Sequence, residues 1–87
     1  MIARKITYKG QFSEKEVCEI YDITRKIEIT GVVQPKSLSE VELQLEGDPS
    51  MIKLVQHQIE RKIKDRIQSK TVDQIPYQYF KGIQFLN

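Results

Sequence analysis

The stretch Glu40-Val41-Glu42-Leu43-Gln44-Leu45-Glu46 alternates a polar with a branched apolar residue at every step, and Gly47 stops it. Successive side chains on a strand point to opposite faces, so this segment dictates a strand with one buried and one solvated side. A sheet holding such a strand is covered by helices on one face only. The rest of the chain must supply those helices and the partner strands.

Residues 2 to 9 alternate more loosely, Ile2, Ile6 and Tyr8 against Lys5, Thr7 and Lys9, and predict a half-buried strand whose beginning frays at Arg4. After Gly10-Gln11-Phe12, the run Ser13-Glu14-Lys15-Glu16 has the form of a capping box, so a helix is expected from Glu14. Val17, Ile20, Tyr21, Thr24 and Ile27 line its apolar face, which fades at Gly31. Cys18 on its flank reads as a partly buried small side chain rather than a nucleophile. Ile29 to Gln34 is rich in β-branched residues, and Pro35 is expected to end that strand and open a turn through Ser39. Asp48-Pro49 supplies a cap and a first-turn proline for a second helix. Its stripe is Ile52, Val55, Ile59, Ile63 and Ile67, ending near Ser69-Lys70. Asp73 to Asn87, with Tyr77, Tyr79, Ile83 and Phe85 at strand spacing and Gly82 as a bulge, predicts a final interrupted strand.

Strand, helix, strand, strand, helix, strand gives an α+β class. The expected fold is a ferredoxin-like β-α-β-β-α-β sandwich, a four-stranded antiparallel sheet with two helices on one face. Residues 1 to 87 are expected to form a single domain. Apolar runs such as Val32-Val33 and Met51-Ile52 fall far short of the roughly twenty residues that span a bilayer, so no membrane association is expected. A lone cysteine cannot form an intramolecular disulfide, and Met1-Ile2-Ala3-Arg4-Lys5 leads into no apolar signal core, which together point to a reducing, cytoplasmic setting.

Several stretches resemble the acylphosphatases, small enzymes of this element order. Thr24-Arg25-Lys26-Ile27-Glu28-Ile29-Thr30-Gly31-Val32-Val33-Gln34 is similar to that family's first helix end and Gly-Trp-Val-x-Asn strand. Glu40 to Asp48 resembles the strand and turn that lead into its second helix, and Lys81-Gly82-Ile83-Gln84-Phe85 its closing Gly-Phe-x-Ile strand. The resemblance implies hydrolysis of acyl phosphates by an Arg at the first helix, in Gly-x-Val-Gln-Gly-Val-x-Phe-Arg, which grips phosphate beside backbone amides. It also implies an Asn at the end of the second strand that orients water.

Neither side chain is in place: the Arg position falls on Val17 or Cys18, and the Asn position on Pro35. No catalytic residue is therefore assigned. Gly10, Gln11, Phe12, Ser13, Glu14 and Lys15 form a vestigial anion-binding loop, in which Glu14 and Glu16 oppose an approaching phosphate. Lys15 is read as a solvated first-turn lysine.

Lys53, His57, Arg61 and Lys64 form a basic binding face along the second helix, with Glu60 and Asp65 close by. His57 stands about 160° round the helix from Ile59 and is expected to face water. One histidine supports neither a metal site nor a nucleophilic triad, and no metal or cofactor is expected. Fourteen Lys and Arg against twelve Asp and Glu leave a net charge of +2, too weak a field for a dedicated nucleic-acid binder. The wet face of the alternating strand carries Glu40, Glu42, Gln44 and Glu46, which repel RNA, while Lys5 and Lys9 are expected opposite them. Core packing is expected to use at least two of Tyr77, Tyr79 and Phe80. The strand beside Val32-Val33 is expected to border the sheet and to offer an edge to a protein partner or a second copy.

The leading expectation is an acylphosphatase-like domain without hydrolysis that acts as a binding or interaction module. One alternative keeps it an acylphosphatase working through a displaced cation; a second makes it a weak nucleic-acid binder through the second helix.

Overall fold

Ile6 and Tyr8 leave the first strand on the side where Val17 and Ile20 of one helix meet Val55 and Ile59 of the other, and all of them are buried in one core. The computed structural model describes residues 1 to 86. β1 (Ile2–Gly10) is followed by α1 (Glu14–Arg25), β2 (Thr30–Ser37), β3 (Glu40–Gly47) and α2 (Pro49–Lys62). A 3-10 turn (Lys64–Arg66), β4 (Ile67–Gln74) and β5 (Ile83–Phe85) complete the chain.

The sheet has five strands in the order β4-β1-β3-β2-β5, not four, and it is mixed. β1 pairs antiparallel with β3 and β4, β2 pairs antiparallel with β3, and β5 runs parallel to β2. The α+β class and the two-helix cover hold. The expected final strand over 73 to 87 is divided: its first two residues end a strand over 67 to 74, which begins near the expected end of the second helix and forms one sheet edge, the chain then crosses the sheet, and residues 83 to 85 form the other edge beside Val32 and Val33. Pro76 has no amide to donate, while Tyr79 (φ 60°) and Gly82 (φ 72°) turn the backbone out of any ladder. Gly82 therefore makes a turn rather than a bulge, and Asn87, the end of the expected strand, lies outside the described residues.

α2 stops at Lys62, before the expected Ser69. Ile63 caps it and is buried, and Ile67 faces the core as the first residue of β4, so the three-and-four spacing continued through a change of element. β2 runs on through Pro35 to Ser37, with a register irregularity against β3. β5 accompanies β2 only from Gly31 to Val33, so Pro35 withholds its missing donor from no neighbour on that side. Arg4 does not fray β1; it pairs in register with Leu45 and Gln74.

The start signals act as written. Ser13 Oγ accepts from the Glu16 amide at 3.2 Å while the Glu16 carboxylate accepts from the Ser13 amide at 2.8 Å. Asp48 accepts from the Ser50 hydroxyl at 2.6 Å and from the Ser50 amide at 2.9 Å, and these two bonds, the hydroxyl's first, hold its carboxyl below the usual range. No helix is long and apolar enough to cross a membrane among the described residues.

Candidate functional site

The loop from β1 to α1 places its amides at the helix start, where an anion cradle would lie, but the four from Gly10 to Ser13 are already engaged. Gly10 N–H donates to the Ser39 carbonyl (3.0 Å), Gln11 to Arg66 (3.1 Å) and Phe12 to Leu38 (2.8 Å), and Ser13 donates to its own capping carboxylate. A Cβ at Gly10 would overlap the Arg66 carbonyl, so the loop lies tight against the turn that precedes β4. Phe12 is buried in the core and Lys15 is exposed. Glu16 is held below the usual carboxylate range by the Ser13 amide first and by Arg66 as well, whose Nε lies 2.9 Å from it. A cation is thus brought to the helix start already paired to an acid, and it arrives from residue 66, which the linear sequence did not connect to this loop.

Val17, Cys18 and Pro35 come together in the fold. They line an open cleft of about 360 Å³ with Glu14, Ser37, Leu38 and Phe85. A phosphate there would meet methyl groups, a proline ring, a thiol and a carboxylate. Cys18 is exposed rather than partly buried.

The basic face does not converge. Lys53, His57, Arg61 and Lys64 are all exposed, His57 as expected, but Lys64 lies in the 3-10 turn beyond the end of α2. Lys53 lines a groove with Arg4, whereas Arg61 and Lys64 line another that also holds Glu16 and Asp65. No group of three or more His, Cys, Asp and Glu side chains is arranged for a metal ion among the described residues.

The sequence reading missed the opposite side of the sheet. Glu46, placed on the solvated face by its alternation, is only 1% exposed. Residues 75 to 82 cross the face above it, anchored by Ile75 N–H on the Ala3 carbonyl (3.1 Å) and by Gly31 N–H on Gly82 (2.9 Å). The Glu46 carboxylate accepts from three successive amides of this crossing: Gln78, Tyr79 at 3.1 Å and Phe80 at 2.8 Å. Tyr77 and Phe80 are half-buried and Tyr79 is 79% exposed, so packing absorbs less of this aromatic cluster than expected. The acid at position 46 and the turn-formers Pro76 and Gly82 were visible in the sequence; their meeting was not.

No family model matches the chain, and no curated protein matches it in sequence. Its backbone matches solved structures closely. An acylphosphatase from Bacillus subtilis superposes with a TM-score of 0.85 at 12% identity, covering 100% of both chains. One from Coxiella burnetii gives 0.83 at 15% identity, over 98% of this chain and 92% of that one. The HypF protein of T. kodakarensis gives 0.81 at 22% identity, all of this chain corresponding to 12% of its length. At such identities the likeness shows a shared architecture, and that architecture is acylphosphatase-like.

Proposed function

We propose that this acylphosphatase-like domain is non-catalytic and serves as a binding or interaction module. The observation that carries the reading is the cleft where Val17, Cys18 and Pro35 meet. It offers no guanidinium for a phosphate and no side-chain amide for a water, and Glu14 on its wall repels an anion. Core and site are different residues, so the fold persists when the chemistry is lost. Hydrolysis through a displaced cation is disfavoured because Arg66 is paired with Glu16, and Lys15 lacks the two-pronged donor geometry of arginine. The free, exposed Cys18 fits the reducing, cytoplasmic setting proposed from the sequence. A protein partner, or a second copy, would join at an edge strand, of which β4 is the longer. Nucleic-acid binding through α2 is disfavoured by the division of its cations between two grooves.

The test is benzoyl phosphate decay followed with and without the protein. The proposal expects no rate above buffer; a rate proportional to protein and abolished by Arg66→Ala or Lys15→Ala would establish the enzymatic alternative.

A further inference from the structure

We infer that the crossing segment and the end of β3 form a binding site for an alkylammonium cation. Tyr77, Tyr79 and Phe80 line a cavity of about 400 Å³ together with Met1, Glu28 and Glu46. The two tyrosine rings stand 4.7 Å apart at 73°, which gives the cavity two aromatic walls set nearly at right angles. Ring faces attract cations, and walls at such an angle can enclose a quaternary or alkylated ammonium group.

The electrostatics of the floor point the same way. Glu46 is buried and its charge is met by amide dipoles alone; no Lys or Arg forms an ion pair with it, or with exposed Glu28, among the described residues. Amide hydrogen bonds satisfy the Glu46 oxygens without cancelling their charge, so together with Glu28 the lining carries two carboxylates beneath the aromatic rings, a field that favours a cation. Among the described residues, the ring contact that a cation makes is elsewhere, Arg25 over Tyr21.

Tyr79 supplies the third observation. A bulky residue at positive φ is held against its own preference, and here it keeps a large ring in water. The amide of Tyr79 is fixed by the same Glu46 carboxylate that forms the cavity floor, so one side chain both sets the wall and supplies the charge. The site lies on the helix-free side of the sheet and would hold its cation whether or not the helix-side cleft hydrolyses anything.

The full chain, labelled with ¹⁵N, would be titrated with choline, with a short peptide bearing trimethyllysine, and with 3,3-dimethylbutan-1-ol, the neutral isostere of choline. Saturable shifts confined to residues 28 to 30, 46 to 47 and 77 to 80, at least tenfold weaker for the alcohol, are expected. Choline saturating first would identify a small-molecule cation, and the peptide saturating first an alkylated side chain; either supports the inference. Exposed Tyr79→Ala and Glu28→Gln should keep the native spectrum, Tyr79→Ala losing at least tenfold in affinity. Equal responses to choline and the alcohol, no response to either cation, or unchanged affinity in Tyr79→Ala would overturn it.

Discussion

The Tyr8 hydroxyl donates to the Glu60 carboxylate at 2.9 Å, and Lys70 reaches the other oxygen of the same group at 3.0 Å. The inner strand β1, the second helix and the edge strand β4 are thereby joined at one carboxylate. Burial first, then the charge of Glu60, pushes the Tyr8 hydroxyl well above the ordinary tyrosine range. Burial raises the Glu60 carboxyl, but the hydrogen bonds from Lys70 and Tyr8 outweigh it and leave the group below its usual value.

This linkage predicts a stability profile with two limbs. A depressed Glu60 stabilises above the unfolded carboxyl value of about 4.3 and loses that contribution as pH falls through its folded value. A raised Tyr8 stabilises fully below the unfolded value of about 10 and loses that as pH climbs above it. Urea denaturation across pH 3 to 11 should show a plateau near neutrality. Tyr8→Phe should cost about 1 to 2 kcal/mol at pH 7 and flatten the alkaline limb. An unchanged alkaline limb in Tyr8→Phe would assign that loss to other tyrosines.

Glu46→Ala removes the acceptor of three amides and should destabilise by about 2 to 4 kcal/mol, with accelerated exchange at Gln78, Tyr79 and Phe80. Hydrogen exchange resolved by residue checks this. Protection retained at those amides would mean that the crossing is held by its ends alone.

Rebuilding the missing side chains should not rebuild an enzyme. Cys18→Arg with Pro35→Asn adds a guanidinium and an amide to the cleft, yet the Gly10, Gln11 and Phe12 amides remain bound to carbonyls and Glu14 remains on the wall. Benzoyl phosphate turnover is expected to stay at background. Substantial turnover from the pair alone would show that backbone amides are dispensable in this cleft.

Neutralising the exposed α2 cations singly, Lys53→Gln, Arg61→Gln or Lys64→Gln, should change stability by no more than about 0.5 kcal/mol. Titration with single-stranded RNA and duplex DNA should leave residues 53 to 64 unshifted. Salt-sensitive shifts there would install the nucleic-acid reading.

Both helix starts, the two-faced third strand and the single-sided helical cover were legible because each is written locally, in a capping pattern or a period. Ile63 and Ile67 misled for the same reason, since consecutive residues of one apolar stripe can lie on different elements and still meet one core. The placement of β5 depends on a reversal at Tyr79 and Gly82 and on pairing with a strand fifty residues earlier, which no window of the sequence contains. The register did put Lys9 opposite Glu40, while Lys5 stands between Gln44 and Asp73. That the Gly10, Gln11 and Phe12 amides are taken up by the remote carbonyls of Ser39, Arg66 and Leu38 was likewise written in no local pattern.

The inner position of β1, between β4 and β3, also sets a schedule for folding. Its two neighbours are drawn from far along the chain, Ile2 facing Gly47 and Arg4 facing Gln74, so the middle of the sheet closes only after two long loops have paid their entropy. Chains whose contacts are this distant fold in milliseconds to seconds rather than microseconds. Residues 75 to 85 can dock only on a surface made by β1, β3 and β2 together, which makes them the last part of the molecule to find its place and the first that a small loss of stability would release.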